Sequence, residues 1–118
     1  MLAAKFRFHG YGALRFLFGH GKTYRFKSLS LRVATNPKRV NSRIAVIVSK
    51  KVMKAAPGRN RIRRRIYEQL RMQWPHIKNN HDVVVTVYDA AVADMPAEAL
   101  EAEVVDALHR AELWADTK

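Results

Sequence analysis

Along this chain the spacing of apolar residues switches between helical and alternating, and each switch marks an element. Tyr11 to Phe18 carries Leu14, Leu17 and Phe18 at helical spacing and is closed by Gly19 and Gly21, which predicts a short first helix. From Lys22 to Lys27 aromatic and polar residues alternate, and Leu29, Leu31 and Val33 then alternate with Ser30, Arg32 and Ala34. Both stretches read as strands with one solvated face. Asn36-Pro37-Lys38-Arg39 reads as a turn. Ile44 to Val48 is apolar throughout, as is Val83 to Val87 apart from Thr86, and such strands are expected in the middle of a sheet, covered on both faces.

Between those two runs Ile62, Ile66, Leu70 and Trp74 recur every fourth residue, one stripe of a helix that follows Pro57-Gly58 and ends near Trp74-Pro75. A last helix is expected after Asp94-Met95-Pro96, with Asp94 as its cap, Pro96 in its first turn and Leu100, Val104 and Leu108 as its stripe. Glu98, Glu101 and Glu103 crowd its start and Arg110 its end, which suits the helix dipole. The order is αβββαβα. It predicts an α+β fold, a single-domain sandwich over residues 1–118 with helices packed on a four-stranded sheet. A strand–helix–strand connection of this kind is ordinarily right-handed.

Composition narrows the class. The 118 residues include no cysteine, so neither disulfides nor thiolate metal sites are available. No apolar run approaches the roughly 20 residues that cross a bilayer, and Met1 to Phe8 lacks the long apolar segment of a secretory signal. A cytoplasmic protein without a membrane partner is expected. Charge changes the picture more. Residues 1–80 hold 20 Lys and Arg against one acid, Glu68, a balance of +19, whereas residues 81–118 hold 2 against 9, a balance of −7. A basic body beside an acidic C-terminal segment suggests one face aimed at phosphates and another turned to solvent.

The densest charge sits on the central helix. Arg59 to Arg65 packs five arginines and Asn60 into seven positions without interrupting the apolar stripe. Arg61, Arg64, Arg65 and Arg71 are expected to point away from that stripe. Arginine suits a polyanion because its planar fork makes paired, directional hydrogen bonds to phosphate. RNA is the expected partner.

With Arg43-Ile44-Ala45-Val46-Ile47-Val48-Ser49-Lys50-Lys51-Val52, a short loop and Arg59-Asn60-Arg61-Ile62-Arg63-Arg64 in this order, the chain resembles the bacterial ribonuclease P protein component. The resemblance runs from about Leu14 to Leu113 and includes the Phe18-Gly19-His20-Gly21 turn. It implies a ribosomal S5 domain 2-like fold whose crossover at the arginine helix is left-handed, against the general rule. It also implies a protein subunit that binds the catalytic RNA of ribonuclease P and the 5′ leader of precursor tRNA, and that assists endonucleolytic release of the mature 5′ end. By position, Arg59, Asn60, Arg61, Arg63 and Arg64 match the signature, Arg65 extends it, and Ser49, Lys50 and Lys51 match the preceding block as RNA-binding residues. The family's leader cleft would lie between the first helix and the sheet, at Phe18, Leu14 and Arg32. Leu14 stands where that helix often has Phe, Arg32 where the strand often has Tyr, and Met53-Lys54 where Gly-Asn or Gly-Lys is common.

The resemblance places the cutting centre in the RNA, and the residues agree. Protein-borne, metal-assisted phosphodiester hydrolysis usually needs several carboxylates around Mg²⁺. The basic body offers only Glu68, which lies four residues after Arg64 and three before Arg71 and reads as one half of an intrahelical ion pair. The histidines at 9, 20, 76, 81 and 109 lack a ligand spacing and read as structural or RNA-contacting. No catalytic or metal-ligating residue is therefore expected in the protein, and Mg²⁺ is expected to be held mainly by the RNA subunit. The alternatives are a general RNA-binding or ribosomal assembly protein, and an enzyme in its own right.

Overall fold

The computed structural model describes residues 21–36 and 41–115. The expected first helix, with Leu14 and Phe18, lies outside the described residues, as does most of the expected Asn36–Arg39 turn. The strands are β1 (Lys22–Arg25), β2 (Leu29–Thr35), β3 (Arg43–Val48) and β4 (His81–Val87), and the helices are α1 (Ala56–Gln73) and α2 (Ala97–Arg110). Short 3-10 helices follow α1 at Trp74–His76 and precede α2 at Ala90–Ala93.

The sheet runs β1-β2-β4-β3, with β1, β2 and β4 antiparallel and β3 parallel to β4. Because side chains alternate across a strand, the register sorts the sheet into two faces. Leu31 lies beside Val85 and Val46 beside Val85, so Leu29, Leu31, Ile44, Val46, Val48, Val83, Val85 and Val87 share the face that carries the main core. The stripes of both helices close over it: Ile62, Ile66 and Leu70 from α1, Leu100, Val104 and Leu108 from α2, all buried. Full burial of each such side chain contributes about 1.5–3 kcal/mol. On the opposite face Ala45 and Val84 form a second small cluster with Ala34 and Ile47. Tyr24, Phe26 and Trp74, each half-buried, pack against the rim of the main core.

Two sequence expectations need correction. β3 is not mid-sheet; among the described residues it is the edge next to β4. An apolar run reports that both faces are covered, which the two clusters achieve, and says nothing of how many strands flank it. The open edge is managed from α1, where the buried Tyr67 hydroxyl accepts the Val46 amide at 3.2 Å. The second correction concerns Asp94. The residue preceding α2 is Pro96, whose carbonyl accepts the Leu100 amide at 3.0 Å, and no side chain caps the helix. The capping aspartate is Asp89, which accepts the Ala91 amide at 2.9 Å at the start of the intervening 3-10 helix. The chain turns once more between the two proposed starts, and a sequence pattern registers only that a turn is near.

Two acids of the C-terminal segment have structural partners that the sequence did not disclose. Asp82, 6% exposed, accepts Arg43 Nε at 3.0 Å and Nη2 at 3.1 Å, and Asn36 Nδ2 at 3.0 Å. Glu103 is turned inward and accepts the Ser28 amide at 2.9 Å, fixing the β1–β2 turn against α2.

Candidate nucleic-acid interface

The basic cluster begins where β3 stops. The Ser49 carbonyl accepts the amides of Val52 and Met53 at 3.1 and 3.2 Å, a tight turn that leaves Ser49, Lys50 and Lys51 exposed. Arg59 then ties this loop to the helix: its Nη1 donates to the carbonyls of Met53 at 3.0 Å and Lys54 at 2.7 Å. Gly58 lets the loop lie close, since a Cβ there would meet Met53 Cγ at 2.6 Å and Sδ at 2.7 Å. The lysine turn and the first turn of α1 therefore form one surface.

That helix start is electrostatically bare. Ala55 is in the extended conformation of a cap residue but offers no side-chain hydrogen bond, Pro57 occupies the first turn, and no acid is present there. The free N–H groups and the positive end of the dipole face outward with nothing of opposite sign. Helix starts of this kind are ready-made anion sites.

Five arginines follow, and the structure divides them. Arg61 Nε donates to the Ala93 carbonyl at 2.8 Å while its Nη2 stays 3.8 Å from the exposed Asp94 carboxylate, so the stem is anchored and the tip reaches solvent. Arg63 donates to Asn60 Oδ1 on the same side of the helix. Arg64 is exposed, with one long contact of 3.4 Å from Nε to the Asn60 carbonyl. Arg65 departs from expectation. It does not point away; half-buried, it donates through Nη1 to the Val92 carbonyl at 2.5 Å and through Nη2 to the Met95 carbonyl. It clamps the segment before α2 onto α1. Helical spacing shows which side of α1 Arg65 leaves from, but not that another segment waits there with carbonyls to fill.

Glu68 pairs with Arg71, whose Nε lies 2.9 Å from Oε1. That guanidinium holds the Glu68 carboxyl well below the usual carboxylate range and in turn pushes the arginine upward. Among the described residues no three His, Asp or Glu side chains are grouped so as to hold a metal ion. Arg32 lies on the sheet face opposite the helices, opposite Val84 in register, and its Nη1 donates to Thr23 Oγ1 at 2.6 Å. The other two cleft positions, Phe18 and Leu14, are outside the described residues.

A family model for ribonuclease P matches residues 2–112. The chain is 36% identical over 91 residues to the ribonuclease P protein component of Roseiflexus sp. (strain RS-1), an alignment covering 77% of this chain and 73% of that protein. The chain belongs to the ribonuclease P protein family. A more distant member, from Symbiobacterium thermophilum, is 28% identical over 101 residues and covers 86% of each chain. The family fold agrees as well. The RNase P protein from Staphylococcus aureus superposes with a TM-score of 0.82 at 21% identity, covering 92% of this chain and 97% of that one. The protein from Thermotoga maritima gives 0.77 at 20% identity, covering 88% and 96%. No helix among the described residues is long and apolar enough to cross a membrane.

Proposed function

We propose that this chain is the ribonuclease P subunit that grips the catalytic RNA and the 5′ leader of precursor tRNA in the cytoplasm, assisting removal of the leader. The observation that carries the reading is the continuous cationic surface at the start of α1, where the Ser49–Lys51 turn is tied by Arg59 to an uncapped helix end. Arg61, Arg63, Arg64 and Asn60 flank that end. Its physical work is to neutralise phosphates, which releases counterions and makes binding steeply salt-dependent. Contacts of arginine to backbone position an RNA without reading its sequence. Arg59 and Arg65 contribute differently, holding the loop and the α1–α2 junction rigid so that their neighbours present a fixed pattern.

The cutting centre then belongs to the RNA, which also holds the Mg²⁺. The two acids nearest the cationic helix and sheet, Glu68 and Asp82, spend their oxygens on Arg71 and Arg43. The leader runs along the sheet face that carries Arg32, beside Phe18 and Leu14. Cleavage assays on precursor tRNA test the whole reading. Protein alone gives no product, and protein added to the cognate catalytic RNA raises cleavage at modest Mg²⁺. Product from protein alone makes the chain an enzyme in its own right, and an RNA indifferent to the protein leaves a general RNA-binding role.

A further inference from the structure

A second cationic feature lies at the other end of the sheet. The Ser49–Lys51 turn leaves the sheet where Val48 pairs with Val87, whereas His81 opens β4 six residues earlier. At roughly 3.3 Å per residue the two ends are about 20 Å apart. Beside His81, on the face that carries the helices, is a groove of about 600 Å³ between the β1–β2 edge and the chain that follows α2. Lys22, Lys78, His81 and His109 line it, with Tyr24 and Trp114 as its aromatic walls, and Glu112 is its one acid.

The groove is built rather than incidental. Ser42 Oγ donates to the Lys78 carbonyl at 2.5 Å and accepts the His81 amide at 3.0 Å, bridging the two residues that supply the floor. Asn80 between them takes a positive φ of 67°, a conformation Asn tolerates better than most residues. The Lys78 amide donates to the Leu113 carbonyl at 2.8 Å and the Ala115 amide to the His76 carbonyl at 2.6 Å, so the C-terminal segment is pinned alongside. Trp114 is then stacked between His76 and His109, with ring centroids 4.6 and 4.4 Å away and interplanar angles of 11° and 22°. Lys22 Nζ sits 5.2 Å from the Tyr24 ring centroid. The carbonyl of Asn79 can only accept, so His81 donates Nδ1–H to it at 2.6 Å, which fixes the ring and leaves Nε2 for another partner.

We propose that this groove binds a short single-stranded segment of RNA, at a place separate from the arginine helix, an inference that rests on the RNA-binding reading above. Lys22 and Lys78 hold phosphates, and the ring nitrogens of His81 and His109 donate to phosphate or ribose oxygens. Bases stack against the aromatic walls, which suits unpaired strands of any sequence. Two sites about 20 Å apart on one rigid sheet give the subunit two grips on one RNA, and so a defined orientation.

The test uses the full chain and a short oligouridylate. Lys22→Ala and Lys78→Ala each weaken binding several-fold and together lower the slope of log K against log salt by about two. The Trp114 indole N–H resonance, assigned with Trp114→Phe, shifts on titration. Lys27→Ala, in the exposed β1–β2 turn, leaves affinity and slope unchanged. An equal loss from Lys27→Ala shows that only net charge matters and overturns the groove. Full binding in the Lys22 and Lys78 variants, with losses confined to Arg61→Ala and Arg64→Ala, overturns it while leaving the arginine surface standing. Unchanged binding in both sets removes the RNA reading itself.

Discussion

The two long helices lie against the same face of the sheet and treat charge in opposite ways. In α2 the charges follow the dipole: Glu98 is in the first turn, His109 and Arg110 are in the last, and Asp106 meets Arg110 at 3.3 Å one turn away. In α1 the start has no acid and no side-chain cap, and arginines crowd its first turns. Both helices bury stripes of equal quality, so packing does not explain the difference. A helix that repels itself at one end is retained when a polyanion supplies the missing charge. The contrast separates a helix built for folding from one built for a partner.

The sharpest way to break the contrast is to attack what the helices share. Ile66 is fully buried in the core, so Ile66→Asp introduces an unpaired charge there and unfolds the domain, read as loss of a cooperative thermal transition. A native melting curve for that variant would falsify the assignment of the stripe. Next is Arg65, whose two carbonyl partners make it part of the fold. Arg65→Ala costs about 2 kcal/mol of stability in chemical denaturation, and RNA affinity at a temperature where the variant is folded changes less than in Arg64→Ala. The reverse ranking would return Arg65 to the binding surface.

Giving α1 the cap it lacks sharpens the comparison from the other side. Ala55→Asp raises stability by about 0.5–1 kcal/mol and weakens RNA binding, two effects of opposite sign from one carboxylate. If affinity is unmoved, the bare helix start is not used. Arg61→Ala and Arg64→Ala keep the native circular dichroism spectrum and each lower the salt slope of RNA binding by about one, since both guanidinium tips are outside the core. The smallest effect is expected at Glu68. Arg71 lowers its carboxyl from 4.5 to about 2, so the pair's stabilisation is complete above about pH 4.5 and fades as pH falls towards 2. The pair is exposed to solvent, so Glu68→Gln shifts the acid-unfolding midpoint only slightly. A large shift would show that this pair is screened from water.

The arginine helix was legible because its evidence is local. Ile62, Ile66 and Leu70 repeat at a spacing that only a helix places on one side, and the residues between them are left outside by geometry. The strands were legible for the same reason, to within a residue or two at their ends. Arg65 and Glu103 were misread because both leave a solvent-facing position in sequence terms and find partners that are distant along the chain, at Val92 and Met95 for one and Ser28 for the other. Asp82 carried a faint signal as an acid opening an apolar strand, but nothing local named Arg43 as its partner.

The sequence by itself determined the elements, their amphipathic sides, the concentration of positive charge and the family. All of these are recorded in spacing and order along one dimension. Tertiary structure decided that β3 lies at an edge, that Asp89 rather than Asp94 does the capping, and which arginines are spent on carbonyls. It alone brought Lys22, Lys78, His81 and His109 to one groove and slid Trp114 between two histidines. Those outcomes depend on where carbonyls, rings and charges from remote segments meet in space, and a polar side chain takes whichever partner the packed backbone puts within reach.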